Sequence, residues 1–131
     1  MSPRIEGLWI AINLLAVIST SAACGCGGEG SSIREGRTLY QTNGCISCHG
    51  PDGHGDGPVG KTLTPVPRDF RDAGAFKNGT DVAAIARTLA AGLSVNGGRM
   101  PQFSHLTDAE RRSLARFVMS LRENRREEKQ P

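Results

Sequence analysis

The chain has 131 residues, 22% of them charged, with a formal net charge of +3 at pH 7. That length holds at most one ordinary domain, and a charge so small and so mixed in sign argues against nucleic acid as a partner. With 17 Gly, 7 Pro and aromatics at only 5%, the stretch of roughly 100 residues after the start would build a thin core that calls for a staple.

Residues 1–23 read as an export signal. Arg4 precedes an apolar run from Leu8 to Val17, too short for a convincing membrane span. Ser21 and Ala23 supply the small residues that signal cleavage requires, although Glu6 offsets Arg4 and weakens the positive start. Cys24, after Ser21-Ala22-Ala23, resembles the lipobox of bacterial lipoproteins, with Ser21 standing where an aliphatic residue is usual. The expectation is an acylated Cys24 and hence a membrane anchor, against plain cleavage or an uncleaved anchor. Cys26 has no evident partner, because a Cys24–Cys26 bridge across one glycine would be strained. Residues 24–31, rich in Gly and Ser, read as a flexible tether.

The first predicted helix opens on a capping box, Ser32 with Glu35, carries Ile33, Gly36, Leu39 and Tyr40 on one side, and stops at Asn43-Gly44. Directly after it stands Cys45-Ile46-Ser47-Cys48-His49. Two thiols spaced C-x-x-C with a histidine next to the second are the attachment signature of c-type haem. Each thiol adds across one vinyl group of the ring, and the adjacent imidazole is carried under the iron as its proximal ligand. A zinc site would need four N or S ligands, and no second pair lies in range. A thioredoxin-like pair would need a βαβ context, and no strand pattern surrounds the motif. Haem attached in this way also agrees with export, since the reaction takes place on the outer side of the membrane.

Residues 50–77 are dense in Gly and Pro and read as an ordered loop, of a length that is normally functional. A second helix is predicted from Thr80-Asp81 through Val82, Ile85 and Leu89 to Gly92. A third opens on Thr107 with Glu110 and carries Leu114, Phe117, Val118 and Leu121 on one stripe. Residues 123–131 mix charges without aromatics and read as a solvated helix end fraying into a tail. No alternating run suggests a sheet.

From about Ser32 to about Leu121 the chain resembles the class I mono-haem cytochromes c. The pieces come in that family's order: a first helix with Gly36 and Tyr40, then Cys45-x-x-Cys48-His49-Gly50, then Gly98-Arg99-Met100-Pro101-Gln102-Phe103, then a closing helix. Asp52-Gly53-His54-Gly55-Asp56-Gly57-Pro58 and Pro65-Val66-Pro67-Arg68-Asp69 are also similar to segments of small bacterial cytochromes of this type. The resemblance implies an all-α cytochrome c domain over residues 32–122, with about three to four helices around one covalently attached haem c. It also implies that Gly36 meets the Phe117 face of the last helix.

Met100 is the expected sixth ligand. It lies in a Gly-flanked loop, where Pro101 disfavours helix and holds it extended, a poor position for an ordinary core methionine. Met119 is expected to pack or face solvent. His54 is too close to the motif to cross the ring, and His105 is the remaining rival. With Cys45 and Cys48 in thioether links and His49 and Met100 on the iron, no site stays open for a substrate. The expected role is therefore a one-electron carrier, not an enzyme, on the periplasmic side of a membrane, exchanging electrons with a protein donor and acceptor. The alternatives are a haem-bearing subunit of a membrane oxidase, reductase or dehydrogenase complex, and a haem enzyme acting on peroxide or a small gas. Lys61, Arg68 and Arg99 suggest a positive rim that Asp52 and Asp56 oppose.

Overall fold

The computed structural model describes residues 28–128. The expected export signal, Cys24 and Cys26 lie outside the described residues, as do the last three residues of the charged tail. Four helices are present among the described residues: α1 (Gly28–Thr42), α2 (Cys45–His49), α3 (Val82–Ala91) and α4 (Asp108–Glu128). The long loop after α2 contains only two single 3-10 turns, at Gly60–Thr62 and Ala73–Ala75. No helix among the described residues is long and apolar enough to cross a membrane. The all-α reading holds in its essentials.

Helix ends follow local chemistry where side chains are free to cap. Asp81 Oδ1 accepts from the Ala84 N–H at 2.9 Å to open α3, and Gly92 closes it with φ 72°. The Thr107–Glu110 box forms as expected: Thr107 N donates to Glu110 Oε2 at 2.7 Å, and Glu110 N donates to Thr107 Oγ1 at 3.3 Å. The Ser32–Glu35 box does not form. α1 instead begins at Gly28, so residues 28–31 are helical and not tether. Ser32 Oγ donates back to the Glu29 carbonyl at 2.8 Å, while Glu35 accepts from Ser113 Oγ on α4 at 2.8 Å. The tertiary contact takes the carboxylate that the cap needed, and once a helix is anchored, adding a further turn costs little. In the same way α4 runs through residues 123–128, which makes that part of the expected tail helical.

A two-stranded antiparallel hairpin, absent from the expectation, joins α3 to the segment before α4. β1 (Leu93–Val95) pairs with β2 (Gly98–Met100), with Leu93 opposite Met100. Its turn is Asn96-Gly97, both at positive φ (49° and 84°), which is the Asn-Gly preference of a type I′ hairpin.

The most extensive helix pair is α1 with α4, followed by α3 with α4. At the first crossing Gly36 is buried, and a Cβ there would lie 2.1 Å from the Ser113 carbonyl oxygen and 2.8 Å from Phe117 Cβ. The expected approach of Gly36 to the Phe117 face is present. Tyr40 lies edge-on to Phe117 with ring centroids 5.2 Å apart. Leu114, Ala115, Phe117 and Val118 of α4 join Ile85 and Leu89 of α3 in one core.

Two glycines of α1 should therefore respond oppositely to the same change. Gly30 has only the Arg34 side chain near, at 3.8 Å, so Gly30→Ala should be neutral or stabilise by up to about 1 kcal/mol through helix propensity. Gly36→Ala should destabilise by about 1–3 kcal/mol through overpacking, with Gly36→Val worse. Denaturant midpoints of the intact protein measure both, and a stabilising Gly36→Ala would show that the helices do not meet there.

Candidate functional site

α2 is the C-x-x-C-H motif itself. Its spacing places Cys45 and Cys48 three residues apart on one helical turn, the neighbour relation of a helix face, and ends the helix on His49. Five residues cannot hold a helix by themselves, and the loop that follows completes it. Gly50 N donates to Ile46 O at 2.9 Å, Gly55 N to His49 O at 2.9 Å, Gly57 N to Cys48 O at 3.2 Å and Val59 N to Ser47 O at 2.9 Å. Carbonyls that a helix end leaves open are thus taken up by backbone folding back over the motif. Such closeness needs glycine: a Cβ on Gly60 would stand 2.0 Å from the Cys48 carbonyl oxygen. Before the motif, Tyr40 Oη donates to the Gly50 carbonyl at 2.7 Å, and burial pushes its phenol well above the ordinary value.

Both motif cysteines are half-buried. Before attachment, burial pushes the Cys45 thiol up to about 11. The His49 ring stacks on Phe70, with centroids 4.4 Å apart and planes at 25°. Burial lowers His49 to about 4, an effect that the Arg68 backbone partly opposes and the Arg68 charge reinforces. Its Nδ1 is buried and no hydrogen bond of normal geometry reaches it. At neutral pH the imidazole is therefore uncharged.

These residues line a cavity of about 690 Å³, within the range of cofactor sites. Cys45, Cys48, His49 and Met100 all face it, and the walls include Leu63, Phe76, Ile85, Leu89, Leu114 and Val118. Met100 is half-buried at the end of β2 and packs against the core. The rival ligands are elsewhere: His54 and His105 are exposed and outside the lining, and His105 is engaged with Asn43 at 2.8 Å. Met119 packs against the core. The charged lining residues are Arg68, Lys77 and Arg99, so the edge is more uniformly positive than the sequence implied. Lys61, Asp52 and Asp56 are exposed and do not line the cavity.

Sequence reasoning missed Phe70. The signal was present, since Phe70 and Phe76 are the only aromatics between the motif and α3. A large apolar cavity, two cysteines on one turn and an uncharged imidazole facing it fit covalent haem. Zinc fits poorly, because among the described residues no group of three or more His, Cys, Asp or Glu could hold a metal ion.

The family model for cytochrome c matches residues 33–122. No curated protein sequence matches the chain significantly. Among solved structures, a chain of the Kuenenia stuttgartiensis reducing HAO-like protein complex is similar, with a TM-score of 0.59 and 33% identity over 70% of this chain. The present chain covers 44% of that one, less than half its length. With the motif helix, the apolar cavity and a family match across the whole described core, the chain belongs to the cytochrome c family, whose cofactor is covalently bound haem c.

Proposed function

We propose that this chain is a class I mono-haem electron carrier, with Cys45 and Cys48 in the two thioether links and His49 and Met100 as the axial ligands of the iron. The observation that carries this reading is the convergence of Cys45, Cys48, His49 and Met100 on one apolar cavity. Bound haem c supplies a one-electron iron couple. The chain's own residues hold and shield it. Cys45 and Cys48 tether one edge from a single helical turn. His49, kept uncharged by burial, needs to lose no proton before binding a metal, and Phe70 sets the plane of its ring. Met100, extended at the end of β2 and followed by Pro101, presents a soft thioether.

With both His49 and Met100 holding the iron, no ligand position would be open to a substrate, which would favour electron transfer over turnover of peroxide or a small gas. Arg68, Lys77 and Arg99 favour a partner with an acidic patch, in a small and weak encounter of below about 1,200 Å². A second reading, a subunit fixed within a larger redox complex, draws on the similarity to a chain of such a complex. Purification from native membranes distinguishes the two, because a fixed subunit stays with its companions and a carrier does not. Residues 1–23 as export signal, residues 24–27 as tether and an acylated Cys24 place the domain on the periplasmic side of a membrane in this proposal.

Three measurements test it. The denatured polypeptide should keep the mass of one haem after acid–acetone extraction, and Cys45→Ala should mature poorly with a single thioether. Met100→Ala should give ferrous protein that binds carbon monoxide, with a lowered reduction potential, whereas His105→Ala should keep a six-coordinate spectrum. The reverse pattern identifies His105 as the ligand. For the anchor, the wild-type protein should partition into detergent and Cys24→Ser should be released in soluble form; an unmodified Cys24 on the mature protein would refute acylation.

A further inference from the structure

The segment after Met100, residues 101–107, has no regular secondary structure and is fastened from two sides. Toward α3 and α4 the ties are several: Phe103 N donates to Leu89 O at 2.8 Å, and Arg111 donates to the carbonyls of Phe103 and Leu106. Toward the motif there is one. His105 Nε2 lies 2.8 Å from Asn43 Oδ1, across 62 positions of sequence, and among the described residues it is the only hydrogen bond from this segment to α1, α2 or the turn between them. Asn43 stands two residues before Cys45, and His105 five residues after Met100.

We propose that Asn43 and His105 form a positioning bridge that holds the segment following Met100 against the motif helix and so restricts access of outside ligands to the iron. The proposal rests on the reading of Met100 as an axial ligand.

The donors and acceptors of the bridge are determined by its surroundings. Asn43 Nδ2 donates to the Leu39 carbonyl at 2.9 Å, and a carbonyl can only accept. The Asn43 oxygen must therefore face His105, whose Nε2 must carry the proton. That proton is present in the Nε2–H tautomer and in the imidazolium form alike, so the bridge does not need a charged ring. The Glu110 carboxylate, three residues beyond this segment, is held by Thr107 N and Oγ1, both at 2.7 Å. Asn43 thus closes the last turn of α1 with one atom and fastens the segment following Met100 with the other. Because His105 is exposed, its loss leaves the core intact. The α3 and α4 ties would survive, and only the motif side of the segment would be freed to swing away.

The test is the affinity of the intact ferric holoprotein for imidazole, which must displace Met100 to bind, read beside thermal unfolding. His105→Leu and Asn43→Leu should each raise imidazole affinity about two- to ten-fold, the effect of one neutral hydrogen bond. The double variant should exceed neither single variant, and His105→Gln, which keeps a donor at similar reach, should stay close to the parent. An unchanged imidazole affinity in His105→Leu, with or without a lower melting temperature, overturns the bridge. In that case Met100→Ala still binding imidazole far more tightly than the parent leaves the ligation reading standing. If Met100→Ala binds no more tightly than the parent, the ligation reading fails first and the bridge with it.

Discussion

The backbones of α1 and α4 meet at Gly36, where the Ser113 carbonyl occupies the space any side chain would need, and the placement of the site follows from that contact. Two helices this close share a narrow seam into which Tyr40 and Phe117 fit edge to face. Tyr40 then reaches the Gly50 carbonyl, so the residue that follows the motif is referred directly to the helix crossing. Only a two-residue turn separates α1 from α2, which leaves the motif little freedom once α1 is seated. The same α4 contributes Leu114 and Val118 to the cavity wall. A single close approach thereby orients both the attachment helix and the surface it faces.

The remainder of the site is held mainly by main chain. α2 is stabilised by amides of the loop that folds over it, and the loop is held by the same bonds. Side-chain polarity enters the cavity sparingly: its charged lining residues are all cationic, and of these Arg68 is half-buried, with its guanidinium on the Ala75 carbonyl. An interior of this kind keeps His49 uncharged by desolvation. In a domain of this size a covalently held macrocycle supplies the apolar area that 5% aromatics do not.

Much of this was legible in the residues because the relevant signals are local. The motif is contiguous, the caps of α3 and α4 use side chains one turn away, and the apolar stripe of α4 has helical spacing. Met100 could be singled out because Pro101 and the flanking glycines made it a poor core residue. What escaped was decided at a distance or masked by composition. Glu35 matched a capping box, yet a partner 78 positions away took its carboxylate, and no local pattern carries that competition. The β1–β2 hairpin escaped because three-residue strands are too short to show alternation, although Asn96-Gly97 marked its turn. Phe70 escaped because it lies in a loop without periodicity, and its stacking on His49 depends on the loop turning back. The density of glycine after the motif was visible, but its reason, backbone laid against backbone, appears only when the carbonyls of α2 are seen to need partners.

That loop also separates two roles along one stretch of chain. Its amides and glycines face inward and serve the motif, while Pro58, Val59, Lys61 and Thr62 are exposed and make no side-chain contribution to those bonds beyond the Thr62 hydroxyl on the Val59 carbonyl. Mutation can therefore rewrite the outward face residue by residue while the inward face stays constant, because the inward contacts are indifferent to side-chain identity except where glycine is obligatory. Tolerance of substitution along this loop is therefore set by backbone geometry, position by position, and not by the distance of each residue from the site.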